Sequence, residues 1–296
     1  MSRRPHCLAA LVATLLCACE PSQVAPAPAA PLRVVMPLPP PEVPPALVPI
    51  ERCGATEEGF DAWVESFSEH AMAEGISGDV VRRALGNVAY DPSVIELDRS
   101  QRPHKVSFEA FSSSHVTPVR VRRAKKLLST HGALLREITR RFGVEPEIVV
   151  AIWGLETDFG RNQGSTPAFR ALATLAYDCR RTERFRAELS SALRILQRGD
   201  LSVDAMVGAW AGELGQTQFL PSSYERFGID FDGDGRIDLV DSVEDALAST
   251  ANYLAGHGWR RGVGYGPGSP NFEVLAEWNK SEVYRRTIAI FASKLV

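Results

Sequence analysis

The stretch IVVAIWGLETDFG, Ile148 to Gly160, constrains this chain more than any other segment. Ile148, Ile152, Leu155 and Phe159 recur at i, i+4, i+7 and i+11, the spacing of one apolar helix face. Pro146 suits the first turn, where its missing N–H costs nothing and its fixed φ is already helical. Glu156 is the exception on this helix. A carboxylate beside Trp153 and large apolar side chains is poorly hydrated, which raises its pKa and keeps it protonated near neutrality. A protonated carboxyl in a partly apolar cleft is the general acid that glycosidic bond cleavage requires. A capping role, or pairing with an arginine, is the plainer alternative.

The remaining chain carries the same helical period, and strand-like alternation is scarce, so the body is expected to be mainly α. Phe60, Trp63, Val64, Phe67 and Met72 form one period, and Ser77 caps a second helix to Leu85. An irregular stretch holding Pro92 and Pro103 follows, with Phe108 and Phe111 as aromatics in a polar loop. Thr117-Pro118 opens one long helix to Phe142, ended by Gly143. Beyond the Glu156 helix, the expected helices are Ala168–Tyr177, Glu183–Gln197, Leu201–Trp210, Val243–Gly256, Phe272–Trp278 and a last one holding Tyr284, Ile288 and Phe291.

The N-terminus has its own logic. Arg3, Arg4 and His6 precede a short apolar run ending Leu16-Cys17-Ala18-Cys19. This fits a signal peptide over residues 1–18, with Cys19 placed to take a lipid; plain secretion with cleavage nearby is the alternative. Residues 19–50 are dominated by proline and alanine and read as an extended tether, leaving 51–296 as the folded body. Of five cysteines, Cys53 and Cys179 then remain, and in an oxidising compartment a disulfide is the default expectation. The N-terminal apolar run is too short to span a bilayer comfortably, and outside the N-terminus no stretch of about 18 apolar residues occurs. A net charge of −3 carries no basic excess that would point to nucleic acid.

Two further segments carry chemistry. GELGQTQFLPSSY, Gly212 to Tyr224, breaks the helical pattern with Gly212, Gly215 and Pro221. Its glycines allow close approach of a ligand, and Gln216, Thr217 and Gln218 offer neutral hydrogen-bonding groups of the kind that hold sugars. DFDGDGRIDLVD, Asp230 to Asp241, puts aspartates at positions 1, 3 and 5 of a calcium loop, with Gly235 at 6 and the Arg236 carbonyl at 7. Position 12 is Asp241, whose reach is shorter than the usual glutamate, so Asp241, Glu244 and Asp245 all stand as the last ligand.

In order along the chain, AIWGLETDFGR, ATLAYDCRR, GAWAGELGQTQFLPSSY, IDFDGDGRIDL, SVEDALASTANYLAGHGW and WNKSEVY resemble motifs of the membrane-bound lytic murein transglycosylase B family. The resemblance runs from about residue 57 to the C-terminus. It implies a lysozyme-like α domain with additional N-terminal helices and an inserted EF-hand-like calcium loop. By the same resemblance Glu156 is the single catalytic acid/base, Gln218 lines the cleft, and Asn279 and Tyr284 lie near the reacting sugar. Arg180 and Arg181 match a basic pair that meets the acidic peptide stem. Asp230, Asp232, Asp234, the Arg236 carbonyl and Asp245 match the calcium ligands, although Asp245 sits one residue further along than in the family's loop. The implied substrate is the glycan strand of peptidoglycan, and the implied protein is a monomer without organic cofactor, lipid-anchored in the periplasm with the outer membrane favoured.

An ordinary glycosidase uses two carboxyls. Asp158 would point about 200° away from Glu156 on a helix, which removes it from the same site. Spacing alone does not exclude Glu213; the resemblance does, since the family requires no acid there. A single acid suffices when the muramic 6-hydroxyl closes on C1, giving a 1,6-anhydro end without water. A lysozyme-type hydrolase and a non-catalytic peptidoglycan-binding lipoprotein are the competing readings.

Overall fold

Residues 50–100 and 107–296 are described by the computed structural model, and nearly all of their regular structure is helical. The order is α1 (Phe60–Ala73), α2 (Gly78–Leu85), α3 (Pro92–Ser100), α4 (Phe108–His115), α5 (Pro118–Thr130), α6 (Gly132–Phe142), α7 (Pro146–Thr157), β1 (Thr166–Pro167), α8 (Ala168–Tyr177), α9 (Thr182–Arg198), β2 (Val207–Gly208), α10 (Pro221–Phe227), α11 (Val243–Gly256), α12 (Pro270–Trp278) and α13 (Glu282–Ser293). The two short strands pair antiparallel, Thr166 opposite Gly208. The mainly α expectation therefore holds. The expected signal peptide, the expected lipid site at Cys19 and the expected tether up to residue 49 lie outside the described residues. No helix among the described residues is long and apolar enough to cross a membrane.

Apolar side chains collect in two clusters. One joins α1, α2, α3, α8 and α9 with the segment from Leu201 to Phe227, around Trp63, Phe67, Leu172 and Phe185. The other gathers α5, α6, α7, α11, α12 and α13 around Ile148, Ile152, Leu247 and Phe291. Tyr253 and Trp278 pack against both, which places them along the seam where the clusters meet.

Helix α7 runs through the second cluster. Pro146 opens it, as expected, and every residue from Ile148 to Gly154 is buried. It is thus apolar all round rather than on one face, because α5, α6, α11 and α13 pack about it. Gly154 is required by that packing: a Cβ there would lie 2.8 Å from the Phe159 ring and 2.9 Å from the Phe291 ring. The helix stops at Thr157, earlier than the apolar period predicted. Asp158 and Phe159 take left-handed conformations, φ 51° and 64°, and swing Phe159 back edge-on to Trp153 at 5.6 Å between centroids. Asp158 is held in this costly conformation by Arg120 Nε at 3.2 Å and Arg123 at 2.9 Å, away from Glu156.

Several other expectations are corrected. The long helix from Thr117 breaks at His131 into α5 and α6. Pro92 starts a helix instead of marking an irregular stretch, since proline is tolerated in the first turn. Phe108 and Phe111 lie on α4, capped by Ser107, whose Oγ accepts from Ala110 N at 3.2 Å. Residues 201–210 form turns and β2, not a helix.

Polar contacts fix the loops that matter. Glu188 on α9, 5% exposed, accepts from Ser222 N and Oγ, both at 2.9 Å, and so anchors the start of α10. A disulfide joins Cys53 to Cys179, with Cα atoms 5.0 Å apart. Beside it Gly54 N donates to Tyr177 O at 3.0 Å, tying the N-terminal segment to the end of α8.

Candidate active site

Glu156 lies in the last turn of α7, where the helix leaves the core and reaches the seam between the two clusters. Its Oε1 accepts from Trp278 Nε1 at 2.9 Å and from Tyr284 OH at 2.7 Å. Both donors come from the C-terminal helices: Trp278 ends α12, and Tyr284 is placed by the Ser281 cap of α13. Burial drives the Glu156 carboxyl up to about 7; the two donors oppose the rise and the nearby Glu213 adds to it. The Tyr284 hydroxyl is pushed well above its ordinary value by burial and by Glu156, so it stays a donor. With Oε1 occupied by two donors, Oε2 is left to carry the acid proton. Near neutrality Glu156 therefore exists in both forms, which suits a group that first gives and then takes a proton.

A cleft of about 540 Å³ opens in front of it, lined by Glu156, Trp210, Glu213, Gln218, Trp278 and Asn279 among others. Aromatic and neutral polar side chains in one open groove are suited to a sugar polymer, giving ring faces for stacking and groups for hydroxyls. Gln218 is fixed by its Nε2, which donates to Gln163 O at 3.1 Å and Gly215 O at 3.0 Å. Asn279 is fixed by its Oδ1, which accepts from Ser281 N at 2.9 Å. Of the three neutral residues expected near a ligand, only Gln218 lines the cleft. Gln216 is buried and accepts from Trp153 Nε1 at 3.1 Å, and Thr217 is wholly buried against Thr250 at 3.0 Å.

Glu213 shares the cleft with Glu156, which its position in the sequence left open. Burial pushes its carboxyl up, and its Oε2 accepts from Ala211 N at 3.2 Å. Arg180 and Arg181 do not line the cleft, although Arg181 lies close enough to Glu213 for each to act on the other's charge. Arg180 donates to the carbonyl and to Oδ2 of Asp98, both at 2.5 Å, and Arg181 pairs with Asp98 Oδ1. Sequence reasoning missed Trp278 as a partner of Glu156 and Arg184 as a wall of the cleft. The former stood in the WNKSEVY motif, whose tryptophan read as the end of an apolar helix.

Away from the cleft, the aspartate loop joins α10 to α11. Carboxylate oxygens of Asp230, Asp232 and Asp245 lie within 4.8 Å of one another. Oxygens sharing one calcium at ~2.4 Å can be no more than ~4.8 Å apart, so these three fit a common hard cation. Asp245, wholly buried, also accepts from Phe231 N at 2.7 Å and Asp238 N at 2.8 Å, which explains why the acid one turn into α11 closes the loop. Asp234 is turned back to Arg236, its Oδ1 accepting from Arg236 N at 2.8 Å. Asp241 and Glu244 stand outside the cluster.

The family described as Transglycosylase SLT domain matches residues 59–268. The chain is 38% identical over 169 residues to membrane-bound lytic murein transglycosylase B of Escherichia coli (strain K12), covering 54% of this chain and 46% of that protein. It thus spans about half the length of that curated relative. Among solved structures, SltB3 from Pseudomonas aeruginosa in complex with NAG-anhNAM-pentapeptide matches with a TM-score of 0.76 and 32% identity, over 80% of this chain and 79% of that one. The Escherichia coli lytic transglycosylase Slt35 in complex with calcium matches with a TM-score of 0.71 and 25% identity, over 84% and 96%. The lysozyme-like helical fold expected from the sequence is the fold of these structures.

Proposed function

The chain belongs to the transglycosylase SLT domain family, and on that premise we propose that it is a peptidoglycan lytic transglycosylase. It cleaves the β-1,4 bond between MurNAc and GlcNAc and leaves a 1,6-anhydromuramic end, which makes it a lyase. The observation that carries this reading is Glu156, poised at about 7 and held by Trp278 and Tyr284 at the wall of a sugar-sized cleft.

Glu156 gives its proton to the glycosidic oxygen as the C1–O bond breaks. Positive charge develops at C1, where the muramic 2-acetamido group can stabilise it. The new carboxylate is stabilised by the Trp278 and Tyr284 donors, then takes the proton of the muramic 6-hydroxyl as that oxygen bonds to C1. The acid is restored and no water is consumed. Gln218 and Asn279 hold sugar polar groups in the cleft, and Trp210 and Trp278 offer ring faces. Glu213 favours a second reading, a lysozyme-type hydrolase in which it activates water. Burial pushes its carboxyl up, toward the protonated form in which it takes no proton from water, which supports the single-acid route.

The aspartate loop would hold calcium through Asp230, Asp232 and Asp245, with Asp234 and the Arg236 carbonyl completing the set once Asp234 leaves Arg236. The ion would neutralise the acidic cluster and brace the α10–α11 connection, with no part in bond cleavage. Residues 1–18 serve as signal, Cys19 carries the lipid, and the tether lets the enzyme work in the periplasm at a distance from the membrane, with the outer membrane favoured. The protein acts as a monomer.

Digestion of purified sacculi tests the activity. Wild type should release soluble fragments, and Glu156→Gln should release none while keeping its helical spectrum. Release by the variant within tenfold of wild type, a loss of under ~1.4 kcal/mol in the barrier, would remove Glu156 from its role.

A further inference from the structure

Helix α5 has two faces of different use. Arg120 and Arg123 are turned toward α7 and hold Asp158, just beyond the end of the Glu156 helix. Arg122, Lys125 and Lys126 lie on the other side, at the i, i+3 and i+4 spacing that brings side chains onto one helix face. All three are exposed, and among the described residues none has an ion-pair or hydrogen-bond partner. The helix carries no acid, so this face is a local positive excess on a chain whose net charge is −3. Val119 stands one turn before Arg122 and is 66% exposed; of the described large apolar side chains only Val296, at the C-terminus, is more so. An apolar side chain among unpaired cations fits a bilayer surface, where the cations meet phosphates and the apolar group meets the acyl boundary. A soluble polyanion would offer Val119 nothing apolar. No residue that lines the cleft comes from α5, so covering this face takes none of them from a substrate.

We propose that the outer face of α5 docks on anionic phospholipid headgroups and seats the catalytic domain on the membrane surface. This rests on the lipid anchoring proposed above, which keeps the domain within about 110 Å of a bilayer, the longest span of the tether. Weak contacts then suffice, because docking becomes an intramolecular step.

The test uses the mature chain, residues 19–296, with Cys19→Ala so that no lipid is attached. It is sedimented with vesicles of phosphatidylcholine alone, or of phosphatidylcholine and phosphatidylglycerol in equal parts. Binding should require phosphatidylglycerol at ~0.1 M salt and be lost at ~1 M, where the screening length shrinks from about 10 Å to about 3 Å. Each cation near such a surface is worth about fivefold, so Arg122→Gln, Lys125→Gln and Lys126→Gln together should weaken binding on the order of a hundredfold. Tm should not change, since all three side chains are exposed. Arg52→Gln, Arg260→Gln and Lys294→Gln together remove the same charge from exposed positions elsewhere and should leave binding nearly intact. An equal loss in both triple variants would show an effect of net charge and overturn the inference. So would a loss of binding to purified sacculi, in a Glu156→Gln background, with vesicle binding unchanged, because the partner would then be the wall. Wild-type protein exported without a lipid would overturn the anchoring reading, and the inference with it.

Discussion

Replacing Glu156 by glutamine should stabilise the folded protein above neutral pH. In the unfolded chain this glutamate ionises near 4.5, and in the fold at about 7. Below pH 4.5 both states hold the proton, and the group adds no pH dependence. Between 4.5 and 7 the fold keeps a proton that the unfolded chain has released, so its stability falls as pH rises. Above 7 the whole cost is present, about 3 kcal/mol at ~1.4 kcal/mol per pH unit. Glutamine never ionises, and its Oε1 still accepts from Trp278 and Tyr284. For a domain of this size ~1 kcal/mol moves Tm by roughly 2–4 °C, so the variant should melt about 6–12 °C higher near pH 8.5. The difference should vanish near pH 4. Other titrating groups are common to both proteins, so subtracting their melting curves isolates Glu156. Calorimetric scans of both proteins across this range make the comparison. A Tm difference that does not change with pH would refute the idea that burial holds the Glu156 proton.

Two more perturbations follow from the same structure. Chelation should lower Tm and calcium restore it, by ~2.7 kcal/mol at a hundredfold excess over Kd, and Asp245→Asn should abolish the response; identical melting curves with and without chelator would deny the site. Opening the Cys53–Cys179 bridge, which closes a separation of 126 residues, should cost about 4–5 kcal/mol by the loop-entropy estimate. Melting with and without reductant measures it, and alkylation of both thiols in unreduced native protein would contradict the bond.

The sequence made Glu156 visible because a carboxylate within an apolar period is an anomaly at any tertiary arrangement. It also exposed the acidic loop that begins at Asp230, whose spacing is local. Contacts made across the seam left no such mark. Trp278 reads as one more apolar residue of α12, and only the approach of α12 to α7 makes it a donor to Oε1. That Arg180 and Arg181 hold the Asp98 carboxylate was not legible either, because Asp98 lies on a distant helix. Local errors have local causes. The period of α7 ran on to Phe159 because a left-handed turn can return an aromatic to the face that a longer helix would have given it. Helix α4 was missed because none of its residues is buried, so it lacks the apolar stripe by which helices are recognised.

The central claim is that one carboxyl cleaves the glycan with the substrate's own hydroxyl as nucleophile. Digesting sacculi in water enriched in heavy oxygen and reading the released muropeptides by mass spectrometry tests it most directly. The account predicts 1,6-anhydro products, one water lighter than hydrolysed fragments, with no heavy oxygen at the muramic C1. Reducing ends that carry the solvent oxygen would contradict it and return Glu213 to the role of base.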